Sequence, residues 1–198
     1  MMSEVKSRMP AAQRKEQIIT EAMRLAAALG PDRMTTQKLA DAVGVSQAAI
    51  FRHFPSKTEI WQAVAERIGS AMPSTLIEPE APATERLRAV VKRQFEFIVK
   101  TPAIPAILYS RELHAENDLL RARFSTMVEQ RHMLFAGIFA EARDAGDFSE
   151  IRPEDGATIV LALIQGLAMR WSLENRGFDL VAEGTRLLDI QLNLWKQA

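Results

Sequence analysis

The chain has no cysteine among its 198 residues, which excludes disulfides and thiolate zinc sites and fits a reducing cytosol. Its three histidines, His53, His114 and His132, do not fall in a metal-ligand spacing such as H-E-x-x-H, and there is neither a glycine-rich phosphate loop nor a nucleophile elbow. No catalytic residue, metal ligand or cofactor is therefore nominated, and an enzyme is not expected. The amino terminus, MMSEVKSRMP, lacks the apolar run of a signal peptide. The longest apolar run, Ala157 to Ala168, is interrupted by Thr158 and Gln165 and followed by Arg170. Such a run is short and polar for a bilayer, so no membrane partner is expected.

Net charge is also missing, but the balance hides an asymmetry. Residues 1–70 hold 10 Lys and Arg against 7 Asp and Glu, a net +3, and residues 71–198 hold 15 against 18, a net −3. A basic first third beside an acidic remainder points to a polyanion met by the first part alone. With 47% hydrophobic residues, the chain has enough apolar surface for a real core.

Helical spacing dominates, with neither strand alternation nor an internal repeat, so the fold class is all-α. Gln13 to Leu29 places Ile18, Ala22, Leu25 and Leu29 on one face before Gly30-Pro31. Thr35 caps a short helix to Val43, Gly44 stops it, and Ser46 caps the next, Gln47 to His53. Pro55-Ser56 precedes a helix from Lys57 to about Ser70. Three prolines between Met72 and Thr84 mark the best boundary, giving units of 10–70 and 71–198. Beyond it the pattern predicts a helix capped by Thr84 and running to Lys100, and another near Ile104 to His114. A long helix from Asn117 or Asp118 to Ala145, one from Pro153 to Arg176, and a last one from Val181 to Lys196 complete the series.

The stretch from Leu39 to Lys57, LADAVGVSQAAIFRHFPSK, mixes charges with aromatics in a way that suits neither a solvated nor a buried helix. Ala40, Gly44 and Ile50 supply the small crossing contact, the turn and the apolar anchor of a helix-turn-helix. The second helix would be roughly 10 Å long at ~1.5 Å per residue, short enough for a major groove ~12 Å wide. Gln47 in its first turn can pair with adenine through two hydrogen bonds. Thr35, Thr36, Arg52, His53 and Lys57 flank it as phosphate partners, which position without specifying.

At these residues the chain resembles the TetR family of bacterial transcriptional regulators. The likeness spans about residues 12–65 and is sharpest at F-R-H-F-P-S-K, since the family ends its recognition helix with tyrosine, another residue, histidine and phenylalanine, then lysine shortly after. The resemblance implies an amino-terminal three-helix DNA-binding unit and a carboxy-terminal helical unit for dimerisation and ligand binding. It places Thr35 and Thr36 on phosphate, Gln37 within reach of a base edge, Gln47, Ala48 and Phe51 on base-facing or groove-facing positions of the recognition helix with Ala49 beside them, and His53 and Lys57 on phosphate; Ser46, the cap of that helix, is counted with the DNA contacts. Phe51 stands where the family has tyrosine, so it either touches a thymine methyl or packs. Ile50 and Phe54 read as core.

One short recognition helix reads few bases, so a homodimer on a palindromic double-stranded operator is expected. Its surface is assigned to Leu161, Gln165 and Ala168 in the apolar stretch Ala157 to Trp171, and to Leu187, Ile190 and Leu194 in the last helix. Candidate pocket residues for a small apolar or amphipathic effector are Phe95, Tyr109, Arg111, His114, Met127, Phe135 and Trp171, with Trp171 read as an interface anchor in preference to a pocket wall. The implied protein is a cytoplasmic, nucleoid-associated repressor released when its effector shifts the Lys57–Ser70 helix. A differential of ~2–3 kcal/mol would cost roughly 30- to 150-fold in DNA affinity. The alternative is a DNA-binding member of the same family acting through a protein partner, for example in cell division, with no effector.

Overall fold

A computed structural model describes residues 9–72 and 80–197. Among them are ten helices and no strand: α1 Ala11–Leu29, α2 Thr36–Val43, α3 Gln47–His53, α4 Lys57–Ala71, α5 Ala83–Lys100, α6 Ala103–Leu108, α7 Arg111–Ala115, α8 Asp118–Asp144, α9 Pro153–Leu173 and α10 Leu180–Gln197. The all-α expectation holds. Most of the proline-rich boundary, residues 73–79, lies outside the described residues, as do residues 1–8.

The first four helices start and stop where the sequence places the signals. Thr35 accepts from the Lys38 N–H at 3.1 Å, Ser46 from Ala49 at 3.2 Å, and Ser56 from Glu59 at 3.2 Å. Each hydroxyl satisfies a donor that the first turn leaves free. Gly44 takes φ 75°, a left-handed turn between α2 and α3 that a side chain would strain.

Further along, three boundaries differ. Thr84 does not cap α5: it lies buried inside the first turn, because the Pro82 carbonyl already accepts from Glu85 and Arg86 and starts the helix at Ala83. The single helix expected near Ile104 to His114 is two, because Ser110 turns extended and caps α7 by accepting from the Leu113 N–H. α9 ends at Leu173 rather than Arg176: Asn175 and Arg176 take positive φ, and the Arg176 N–H closes on the Trp171 carbonyl at 2.7 Å. At 21 residues with a mean hydropathy of 1.4 over its most apolar window, the whole of α9 is long and apolar enough to cross a membrane by length and composition alone. Its inward residues Val160, Ile164, Leu167 and Trp171 are instead buried against the rest of the chain.

Two apolar cores form. The first joins α1–α4 to α6, α7 and the start of α8 around Ile18, Met34, Ile50, Trp61, Ile107 and Phe124. The second joins α5, the rest of α8, α9 and α10 around Phe95, Phe135, Phe139, Val160 and Leu188. At ~1.5 Å per residue α8 is roughly 40 Å long, which lets one helix serve both. In the second core α10 crosses α5 at Gly184, where an added Cβ would come within 2.2 Å of the Phe95 ring. Trp195 stacks edge-on against Phe139 at 5.5 Å and Phe148 at 6.1 Å, closing the far end.

Candidate functional site

α3 is fixed from beneath by apolar residues. Ile50 is fully buried and Phe54 nearly so, both in the first core, and Lys15 of α1 sits over the Phe54 ring at 5.5 Å. With those residues turned inward, the helical period turns Ala48, Phe51 and Arg52 outward, all exposed, and Gln47 and His53 half-buried at the edges. Phe51 is 39% exposed, a large apolar ring left in solvent. Arg52 and His53 sit in the last turn, where a positive charge meets the negative end of the helix.

The neighbouring starts of α2 and α4 frame this face. Thr35 and Ser46 are exposed and hold their cap bonds; Lys57, half-buried, opens α4. The Gln37 amide donates to Asp41 at 2.7 Å, which keeps it on the α2 surface. The Gln47 amide donates to the Thr36 hydroxyl at 2.5 Å and so joins α2 to α3. That bond uses one of its two N–H groups and leaves the second, with the carbonyl oxygen, for the paired contacts an adenine edge needs.

The pocket candidates separate. A cavity with about 670 Å³ of atom-free space, counting its mouth, lies where the two cores meet. Ile68 of α4 and Met72 just after it, Phe97 and Ile98 of α5, Ile104 of α6, Phe124 and Met127 of α8, and Ile164 of α9 all line it. Of the residues nominated from sequence, Tyr109 and Met127 line it. Phe95 and Phe135 are fully buried in the second core instead. Arg111 is exposed on α7. His114 bonds the Leu108 carbonyl at 3.2 Å and packs on Phe124. Trp171 is buried in the second core, its indole N–H donating to the Phe178 carbonyl at 3.1 Å. Tyr109 donates to the Gln165 carbonyl at 3.0 Å, and burial pushes its phenol up to about 12.

Sequence reasoning missed Arg131. It lies on the inward stripe of α8 with Leu120, Phe124, Phe135, Ile138 and Ala142, is only 9% exposed, and lines the cavity. The signal was present: a charge at a position whose helical neighbours are all apolar. Loss of solvent lowers its pKa from the usual arginine value.

The interface candidates also divide by face. Leu161, Gln165 and Ala168 look into the cavity. The outward side of α9 carries Ile159, Met169 and Leu173 at 42%, 46% and 74% exposure, one residue or two round the helix. On α10, Ile190 and Leu194 are exposed and Leu187 is half-buried. Among the described residues no cluster of His, Asp and Glu is placed to hold a metal ion.

Residues 18–64 match the family described as bacterial regulatory proteins, tetR family. The nucleoid occlusion factor SlmA of Mannheimia succiniciproducens is 30% identical over 179 residues, covering 84% of this chain and 82% of that protein. A putative TetR-family transcriptional regulator from Rhodococcus shares the fold at a TM-score of 0.77 and 17% identity, over 93% of this chain and 99% of that one. The transcriptional regulator FadR of Bacillus subtilis, solved in complex with stearoyl-CoA, superposes at a TM-score of 0.68 and 23% identity, over 91% of this chain and 97% of that one.

Proposed function

We propose that this chain, which belongs to the TetR family of DNA-binding regulators, is a repressor that binds a palindromic operator as a homodimer and is released by a small apolar or amphipathic effector. The division into a DNA-binding unit of residues 10–70 and an effector and dimer unit of 71–198 belongs to this reading. So do the DNA contacts: Gln37, Gln47, Ala48 and Phe51 towards base edges, with Thr35, Thr36, Ser46, Arg52, His53 and Lys57 towards phosphate. The dimer would form through the outward apolar faces of α9 and α10. A protein of this kind works in the cytoplasm, on the nucleoid.

One observation carries the effector. The cavity is walled on one side by Ile68 and Met72 at the end of α4, the helix whose start holds Lys57 beside α3. A molecule filling the space must press on α4, and α4 carries the first core with it. Two recognition helices spaced for successive grooves tolerate little change in separation, so a small shift would lower DNA affinity. FadR of the same fold, solved in complex with stearoyl-CoA, supports a small-molecule ligand.

The second reading is favoured by the SlmA relatives, named as nucleoid occlusion factors. It is a DNA-bound protein acting through a protein partner without an effector. Incubating the purified protein with sheared genomic DNA and sequencing what it retains separates the two. A few palindromic sites beside genes support the repressor. Many sites dispersed over the chromosome, away from promoters, would overturn it in favour of the second reading.

A further inference from the structure

Among the described residues Arg131 is a charge without a counter-charge. Its side chain is nine-tenths buried, it projects from the apolar stripe of α8, and among the described residues no carboxylate pairs with it and none lines the cavity. An unpaired buried cation is costly, and an apolar side chain at this point of the stripe would pack without that cost. Elsewhere among the described residues arginine ion pairs lie at the surface, as that of Arg88 with Asp189 across α5 and α10 at 2.6 Å. The position is therefore one at which the fold holds a charge towards an interior space that water-exposed acids do not reach.

The polar groups beside it are few. Tyr109 is committed to the Gln165 carbonyl, and the Gln94 side-chain oxygen is buried without a partner. Apart from the Gln165 side-chain amide, the rest of the wall is aliphatic, aromatic or thioether, so a bound molecule would place most of its surface against hydrocarbon.

We propose that the cavity receives an amphipathic carboxylate, its head group paired with Arg131 and its hydrocarbon tail lying towards Ile68, Met72 and Met127. This rests on the effector reading and names the class of effector. A planar guanidinium meets a carboxylate through two parallel hydrogen bonds, and the low dielectric around it strengthens the pair. One arginine balances one negative charge, which fits a carboxylate better than a doubly charged phosphate ester. The neutral analogue of such a molecule would fill the same volume and leave the arginine unpaired.

Calorimetric titration of the full-length protein with octanoate, decanoate and dodecanoate, each beside the alcohol of equal chain length, tests this. In the wild type, at least one carboxylate should bind about 10-fold or more tighter than its alcohol. Arg131→Gln should erase that difference while holding the alcohol within about twofold, and Arg131→Lys should keep part of it. Equal affinity for acid and alcohol in the wild type overturns the assignment of Arg131 and leaves an apolar effector standing; so does a preference that survives in Arg131→Gln. Absence of binding by every acid and alcohol overturns this proposal, while retained release of operator DNA by some other small molecule would preserve the effector reading without it. The wild-type comparison decides the matter even if a variant does not fold.

Discussion

The Ser110 hydroxyl donates to the Asp32 carboxylate at 2.7 Å and so ties the break between α6 and α7 to the loop between α1 and α2. Ser110 also accepts from the Leu113 N–H as the cap of α7. The two bonds fix the wall of the cavity to the back of the helix-turn-helix unit. Ser110→Ala should cost about 1–3 kcal/mol, through the lost cap together with the lost bond, and Asp32→Ala about 1 kcal/mol. Urea denaturation of both variants and of the double variant checks it: the double should cost less than the sum of the singles, and strictly additive costs would show that the pair contributes nothing jointly.

The exposed face of α3, proposed to meet DNA, gives a second expectation. Gln47→Ala should lower affinity for the selected operator by ~1–3 kcal/mol and relax its sequence preference, since a base contact is lost. Lys57→Ala should weaken all sequences alike and reduce the salt dependence of binding by about one ion. Titrations at several salt concentrations, with operator and with random duplex, separate the two signatures. Unchanged affinity and unchanged salt slope in both variants would remove α3 and the start of α4 from the interface.

How far the sequence reaches is visible in these residues. The caps at Thr35, Ser46 and Ser56 and the turn at Gly44 are local, set by chemistry within four positions, and they were readable one residue at a time. So was the inward direction of Ile50 and Phe54. Pocket and interface were not, because in an all-round apolar helix such as α9 the periodicity does not say which face meets which neighbour. Leu161, Gln165 and Ala168 face the cavity while Ile159, Met169 and Leu173 face outward, a rotation that only the packing of α8 and α5 decides. The break at Ser110 carried the same kind of local cap signal and was passed over, whereas the bond from Ser110 to Asp32, 78 positions away, has no local signal.

That rotation makes a third expectation sharp. If the outward faces of α9 and α10 form the dimer, Met169→Glu together with Leu194→Glu should yield a folded monomer, each burying a charge at a closing interface. Leu161→Val, which alters the cavity wall, should leave the dimer intact. Sedimentation equilibrium measures both. A double variant that still sediments as a dimer places the interface elsewhere.

Gly184 sets the distance between α5 and α10. A methyl group there would overlap the Phe95 ring, which is itself fully buried and has no room to move. Gly184→Ala should therefore destabilise by about 1–3 kcal/mol or more, although alanine is the better helix former by ~1 kcal/mol. Phe95→Leu in the same chain should recover part of the loss by opening the ring's volume. Thermal melts of the wild type and the two variants test it, and a Gly184→Ala protein more stable than the wild type would show that the helices can separate at no cost.

Tyr109 is the single tyrosine of the chain, so its ionisation can be read alone by ultraviolet absorbance. It is shielded in the cavity wall and bonded to the Gln165 carbonyl, and its phenol is raised to about 12 from the ordinary 10 by desolvation. In the unfolded chain the same phenol would lose its proton near 10. The unfolded state therefore binds fewer protons between 10 and 12, and stability contributed by the neutral phenol is whole below pH 10 and lost as pH climbs towards 12. Absorbance should stay flat past pH 10 and rise only near 12 or with unfolding, whichever comes first. Tyr109→Phe should remove the absorbance step and flatten the alkaline fall in stability across that window. A tyrosinate signal with a midpoint near 10 in the folded protein would mean that the ring is open to water, and the cavity wall described here would need a gap at α6.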